Sequence, residues 1–402
     1  MGSTTKNNDT VLLLEEEQEG SSSSNNGHHH HHHHHHNNTS SSNNPPPNPD
    51  FALLDIAARI LFKILKRSWP VSLSFVIIAF LLYWFLGGFT AFLLIFLAFT
   101  GLLLGLLYHA GDRLLYHPDQ PPSSRVQIPS PASFGLSFEN VYLKSTDSTK
   151  LHAFFVKQPQ DSLGSVPTVL YLHGNAGNIG HRLLNVKGII AYLKCNVLLL
   201  EYRGYGQSDG APSEEGLYKD AQAALDYLKQ RSDIHSSKIV IFGRSLGGAV
   251  AIDLSSRTEN RDKVACVLIE NTFTSVPDIA RELFNFRVVQ WIPSWFYKNQ
   301  FLSRWKVRKM TTPALFLSGG ADALIPSKMM KELFEACGST VKRLAKFPNG
   351  THNETWTCPQ YYQTISYFFE EDVRINGNVG GRERPRTPTP LINGNMHLSV
   401  IY

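Results

Sequence analysis

From Ser68 to Tyr108 the chain runs 41 residues without a charged side chain, and its centre reads FVIIAFLLYWFLGGFTAFLLIFLAF. As helix this is roughly 60 Å, about twice the hydrocarbon core of a bilayer. A secretory signal peptide has a much shorter apolar core at the very start of a chain, so that reading fails. A buried hairpin of a soluble domain is the alternative. Length and apolarity together favour a membrane anchor over residues 69–108. It spans once, or twice if Gly87-Gly88 near its middle forms a turn between two short spans.

The rest of the chain divides around this segment. Residues 1–50 are rich in Ser, Asn and Pro and carry nine consecutive histidines, His28 to His36. Such a composition cannot bury a core and is expected to be disordered. The histidine run is a natural homopolymer or a tag, and in either case it is set apart from the chemistry. Residues 51–68 form a basic flank, and 109–137 a linker that is polar and Pro-rich over 117–133. Residues 374–402 return to polar composition. There the spacing of Arg382, Pro385 and Pro388 fits a proline-rich ligand, a match that is usually accidental. A net charge of +5 spread over 402 residues gives no basic stripe for nucleic acid. The four cysteines, Cys195, Cys266, Cys337 and Cys358, are too scattered for a disulfide framework or a zinc site. Cys195 and Cys266 sit in or beside apolar runs and read as small core residues.

Residues 138–373 alternate apolar strands with helical stretches. FENVYLK and LHAFFVK are short and adjacent, as in a hairpin. PTVLYLH, NVLLLEY, KIVIFG, VACVLIE, PALFLSG and VKRLAKFP follow, separated by stretches such as SEEGLYKDAQAALDYLKQ. That rhythm predicts an α/β fold, a mostly parallel sheet with helices on both faces.

One strand of this set stops at a serine. KIVIF runs into Gly243-Arg244-Ser245-Leu246-Gly247, and a helical pattern begins at once. A sharp strand-to-helix corner strains its central residue, and glycines two positions to either side remove the Cβ atoms that would collide there. The corner side chain then projects at the carboxyl edge of the sheet, with the positive end of a helix behind it. The bland alternative is a helix-capping serine. A nucleophile needs a base and an acid, and in a sheet of this kind both belong at strand ends. PALFLS ends in Gly319-Gly320-Ala321-Asp322, and the last strand ends in Phe347-Pro348-Asn349-Gly350-Thr351-His352. Asp322 is thus the candidate acid and His352 the candidate base, in the order Ser, Asp, His. Glu270, at the end of VACVLIE, is the runner-up acid. Oxyanion donors are expected from the backbone N–H of Leu246 and of Asn175, in the loop HGNAGN after PTVLYL. His173 and His181 nearby read as structural. No metal or cofactor is called for.

The G-R-S-L-G elbow, HGNAGNIGHR, EYRGYGQSDG, the Asp322 turn and PNGTHN together resemble the α/β-hydrolase superfamily, most closely its Bem46-like branch. The likeness runs from about Leu107 to Asp372 and implies the same Ser245, Asp322 and His352. Glu201 departs from the Asp usual before R-G-x-G, at a position that is structural.

Between VACVLIE and PALFLS lies an insertion, residues 272–309, expected as a lid over the serine. It interleaves Phe273, Phe284, Phe286, Trp291, Trp295, Phe296, Tyr297, Phe301 and Trp305 with seven basic residues. Rings and cations suit an interface of acyl chains and phosphates, unless the rings pack on the sheet and the cations are merely solvated. With the anchor, this points to the lipid bilayer as partner and to a long-chain acyl ester or thioester on a protein or lipid as substrate. The resemblance implies protein depalmitoylases first and acylglycerol or phospholipid lipases second. A membrane scaffold without catalysis is the third reading. Arg59, Lys63, Lys66 and Arg67 before the anchor, against Arg113 and Arg125 after it, place the N-terminus in the cytosol.

Overall fold

The computed structural model describes residues 49–284, 287–375 and 398–400. The histidine run and the Arg382–Pro388 motif lie outside the described residues.

The apolar runs form β1 (Phe138–Lys144), β2 (Lys150–Val156), β3 (Thr168–Leu172), β4 (Asn196–Leu200), β5 (Ile239–Arg244), β6 (Cys266–Glu270), β7 (Ala314–Gly319) and β8 (Lys342–Phe347). A further strand, β9 (Leu398–Val400), lies in the stretch expected to be a disordered tail. All belong to one sheet in the order β1-β2-β4-β3-β5-β6-β7-β8-β9. β1 and β2 are the expected antiparallel hairpin, and β2 also runs antiparallel to β4. From β4 through β3, β5, β6, β7 and β8 every pairing is parallel. β9 closes the edge antiparallel to β8.

Two long helices, α1 (Pro49–Leu86) and α2 (Gly88–Leu115), precede the first strand. The helices between the strands begin with α3 (Gln160–Leu163), α4 (Leu183–Leu193), α5 (Glu214–Gln230) and α6 (Leu246–Ser256). After β6 come α7 (Val276–Leu283), α8 (Arg287–Trp291), α9 (Ser303–Lys306), α10 (Ser327–Ala336) and α11 (Tyr361–Tyr367). Successive strand residues point to opposite faces, so each central strand feeds two cores. Leu170, Leu172, Leu198, Leu200, Ile239 and Ile241 enter one. Val169, Tyr171, Val197, Leu199, Val240 and Phe242 enter the other. Cys195 and Cys266 are wholly buried free thiols.

Helix α5 shows how local sequence sets an element. Ser213 caps it by accepting from Gly216 N–H at 3.2 Å. Glu214 and Glu215 stand in its first turn and Lys229 in its last, matching the helix dipole. Leu217, Ala221, Ala224, Leu225 and Leu228 recur at helical spacing and are buried, so one stripe faces the sheet.

The expected anchor is helical throughout, apart from Gly87, whose φ of 80° ends α1 before α2 begins. Ala58–Phe85 and Gly88–Leu115 are each 28 residues long and apolar enough to cross a membrane by length and composition. α1 takes in the basic flank as well.

The segment 109–137 is not the loose linker its composition suggested. Its first residues complete α2, Tyr116 is 3% exposed, and Ser124 and Pro131 are buried. Asn178 Nδ2 donates to the carbonyls of Ser124 (2.8 Å) and Gln127 (2.9 Å). Gly180 packs so tightly on Pro129 that a Cβ there would collide with it. The polar segment is therefore part of the α/β domain, held largely through its backbone carbonyls.

Candidate active site

Three strand ends converge. Ser245 sits between β5 and α6 with φ 56° and ψ −121°, a backbone conformation that a residue with a Cβ rarely adopts. Close packing imposes it. A Cβ on Gly243 would strike the Gly247 carbonyl, and one on Gly247 would strike the Leu172 carbonyl at the end of β3. The two glycines thus let α6 approach the sheet closely enough to turn the chain in one residue. Thr272 Oγ1 and Gly248 N–H both donate to the Ser245 carbonyl, at 2.7 and 2.9 Å, and Ser245 N–H donates to the Glu270 carbonyl at 2.9 Å.

The side chains form a hydrogen-bonded chain. His352 Nε2 lies 3.0 Å from Ser245 Oγ, and His352 Nδ1 lies 2.8 Å from Asp322 Oδ2. The other carboxylate oxygen, Asp322 Oδ1, accepts from the N–H groups of Leu324 (2.9 Å) and Ile325 (2.8 Å), which fix the acid's rotation. The Asp322 side chain is only 1% exposed and that of His352 13%, so the pair is screened from water yet open toward the serine. A hydroxyl bonded to an imidazole, itself bonded to a carboxylate, can transfer its proton as it attacks a carbonyl carbon.

Glu270, the runner-up acid, is directed elsewhere. It is fully buried, accepts from Tyr361 Oη, and lies 3.9 Å from Arg244 Nε. Burial holds its carboxyl above the usual carboxylate range, with Arg244 and Tyr361 opposing.

The expected oxyanion donors flank the serine. Leu246 opens α6, so its N–H has no acceptor within the helix. Asn175 lies in the loop after β3, where the backbone of neighbouring Gly174 passes close to Ser245: a Cβ on Gly174 would be 3.5 Å from Ser245 Cβ. Among the described residues the Asn175 N–H makes no backbone hydrogen bond.

The two structural histidines hold this loop. His173 is buried with Nε2 3.2 Å from Glu201 Oε1, while Glu201 Oε2 accepts from Ile179 N–H at 3.1 Å. Glu201 is longer than the usual Asp, and its carboxylate occupies the space where a Cβ on Gly206 would be. His181 forms a reciprocal cap with Asn178 at the start of the next turn.

Sequence reasoning missed the residues that brace the histidine loop. Asn271, just after β6 with φ 43°, accepts from Gly319 N–H (2.8 Å) at the end of β7. It donates to Thr351 O (3.2 Å) and Thr355 Oγ1 (2.9 Å), joining the acid turn to the base turn. Arg244, inside the elbow, donates to Asn353 Oδ1 at 2.7 Å. The only signal for Asn271 was its place directly after a strand.

The insertion 272–309 divides its aromatic residues. Phe273 and Phe301 are buried, while Phe284, Trp291, Trp295 and Trp305 are 52%, 84%, 76% and 62% exposed. Its cations are mostly committed: Arg281 pairs with Asp278, Lys298 with Asp112, Arg304 with Glu332 and Lys306 with Asp253. They are less free for phosphates than the sequence suggested, because carboxylates reach them, those of Asp112, Asp253 and Glu332 from distant segments. A cleft of about 410 Å³ nearby is lined by Glu214, Tyr218, Asp253, Arg257, Lys298 and Lys306, away from Ser245.

Residues 167–295 match the family model of the α/β-hydrolase fold. Protein bem46 of Schizosaccharomyces pombe is 40% identical over 277 residues, covering 69% of this chain and 91% of the relative. The α/β-hydrolase domain-containing protein WAV2 of Arabidopsis thaliana is 40% identical over 279 residues, 65% of this chain and 87% of the relative. An uncharacterized membrane protein of Saccharomyces cerevisiae is 35% identical over 295 residues, 71% and 96% respectively. Among solved structures, a Pyrococcus furiosus esterase superposes with a TM-score of 0.50 at 20% identity, over 63% of this chain and 98% of that one. By the extent of its likeness to bem46 and by its sheet order, the chain belongs to the α/β-hydrolase family, in its Bem46-like branch.

Proposed function

We propose that the protein is a membrane-anchored serine hydrolase that cleaves acyl esters or thioesters, with palmitoylated protein as its foremost substrate class. The observation that carries this reading is the continuous chain Ser245–His352–Asp322 at a strained strand-to-helix corner. Ser245 Oγ attacks the acyl carbonyl carbon while His352 Nε2 takes its proton. The carbonyl oxygen becomes an oxyanion facing the N–H groups of Leu246 and Asn175. Collapse of the tetrahedral intermediate expels the thiolate or alkoxide, which recovers the proton from His352, and leaves an acyl-serine. Water, deprotonated by His352, then releases the fatty acid and restores Ser245.

Two apolar helices and the exposed rings of Phe284, Trp291 and Trp295 support a lipid-borne acyl chain. A relative described as a membrane protein agrees with an integral anchor. The scaffold reading is disfavoured because the Ser–His–Asp hydrogen bonds would serve no purpose in it.

The second reading, an acylglycerol or phospholipid lipase, turns on topology. The basic residues of α1 ahead of its apolar stretch, Arg59, Lys63, Lys66 and Arg67, keep the N-terminus cytosolic. Two spans then return the domain to the cytosol, where protein S-acyl groups are displayed, whereas one span leaves it lumenal. Asn353 of the sequon Asn353-Glu354-Thr355 is engaged by Arg244, and Thr355 is fully buried, so a glycan fits poorly there. That favours the cytosolic face. Protease protection of sealed microsomes, with epitopes at both ends, is expected to digest both. Protection of the C-terminal epitope alone would exclude depalmitoylation of cytosolic proteins and leave the lipase. Purified protein is then expected to hydrolyse a palmitoyl-cysteine peptide faster than acylglycerols; the reverse ranking would favour the lipase.

A further inference from the structure

The last turn of α2 and the residues after it are bonded to the loop that carries a candidate oxyanion donor. Asn175 Nδ2 donates to the carbonyl of Leu115, the final residue of α2, at 2.6 Å. Asn175 Oδ1 accepts from Tyr205 Oη at 2.8 Å and from His117 N–H at 3.4 Å. His117 and the next loop residue, Ala176, form a parallel β-bridge. The amide of Asn175 is thereby held at both ends, and two of its three bonds go to the backbone where the chain leaves α2.

The exit of α2 is itself fastened to the domain by a second set of contacts. Asp112 pairs with Lys298 Nζ at 2.5 Å and accepts from Asn299 Nδ2 at 2.7 Å. Tyr116 Oη donates to Asn299 Oδ1 at 3.1 Å, and Glu214 N–H donates to the same oxygen at 2.9 Å. One turn earlier, Tyr108 meets Phe296 of the insertion with ring centroids 6.3 Å apart. These partners come from the insertion and from the start of α5, so α2 ends in a socket built by segments far apart in sequence.

We propose that the exit of α2 is a working part of the oxyanion site, with the Asn175 side chain as its positioning group. An N–H donor stabilises the tetrahedral oxyanion only when aimed at where that charge forms, and a misplacement of about 1 Å can cost on the order of 100-fold. Leu115 and His117 fix the direction of the Asn175 side chain and so the set of its peptide unit beside Ser245. The anchor then does more than tether the enzyme: the helix that lies in the bilayer and the loop that receives the carbonyl oxygen form one rigid unit. This rests on the serine-hydrolase reading above.

The test uses the full chain in detergent with a soluble short-chain thioester. Asn175→Ala is expected to lower kcat about 10- to 100-fold while KM changes less than about threefold. Asp112→Ala, which loosens the socket without touching Asn175, is expected to lower kcat at least about threefold. In both variants the affinity for a trifluoromethyl ketone, which forms the oxyanion with the serine, should fall in parallel with kcat, as a merely structural defect would not require. Fluorophosphonate labelling of the serine should persist in both. Unchanged kcat and ketone affinity in Asp112→Ala would overturn the proposal even if Asn175→Ala failed to fold. Loss of serine labelling in the wild-type chain would instead indict the underlying mechanism.

Discussion

Replacing Ser245 with Ala is expected to lower kcat by on the order of 10⁶-fold while leaving the fold intact. The substitution deletes only Oγ. Alanine keeps the Cβ that the strained corner already accommodates, and the contacts that hold the corner are made by the backbone of residue 245: its carbonyl accepts from Thr272 Oγ1 and Gly248 N–H, and its N–H donates to the Glu270 carbonyl. The hydrogen bond lost is the 3.0 Å contact with His352. Without Oγ there is no atom to form the acyl intermediate, and only the oxyanion donors and substrate binding remain. Circular dichroism and thermal unfolding should match the parent, so that lost turnover is assigned to chemistry. Residual activity above a few per cent would contradict the assignment of the nucleophile.

Asp322→Asn is expected to cost about 10⁴-fold in kcat. The N–H groups of Leu324 and Ile325 select an oxygen at the Oδ1 position. An asparagine meeting that demand would turn its NH₂ toward His352 Nδ1. The imidazole must then accept there and carry its proton on Nε2, which faces Ser245 as a donor when a base is needed. The amide also fails to support the imidazolium that forms during attack. Glu270→Gln tests the alternative acid. Glu270 is committed to Tyr361 and Arg244, so its replacement should act on stability more than on kcat. Rate measurements on both variants decide between them: a crippled Glu270→Gln beside a mild Asp322→Asn would reverse the assignment.

The sheet was legible because each central strand is an apolar run bounded by a break, and burial on both faces requires that pattern. The candidate site was legible because its residues stand at strand ends in positions fixed by chain order: Ser245 between glycines, Asp322 in a glycine turn, His352 after the last parallel strand. Other features depend on groups that every sequence possesses. Residues 109–137 attach through the carbonyls of Leu115, Ser124 and Gln127, which carry no sequence signal, so a packed segment read as a linker. Asn271 looked like an ordinary residue after a strand, yet its amide meets Gly319, Thr351 and Thr355, brought together only by the parallel crossovers. The cations of 272–309 read as free because their carboxylate partners, Asp112, Asp253 and Glu332, lie tens of residues away. β9 was hidden for a similar reason. Three residues pairing with an edge strand need no periodicity of their own.

The central claim is that Ser245 is an activated nucleophile, and the most direct measurement is peptide mass spectrometry of the folded full chain after brief treatment with a fluorophosphonate. An activated serine reacts with such a reagent because its base accepts the proton as the phosphorus–oxygen bond forms and fluoride leaves. The account predicts a single phosphonylated site at Ser245, absent when the protein is heat-denatured before treatment. A chain that stays unmodified, or that carries the adduct at another residue, would contradict it.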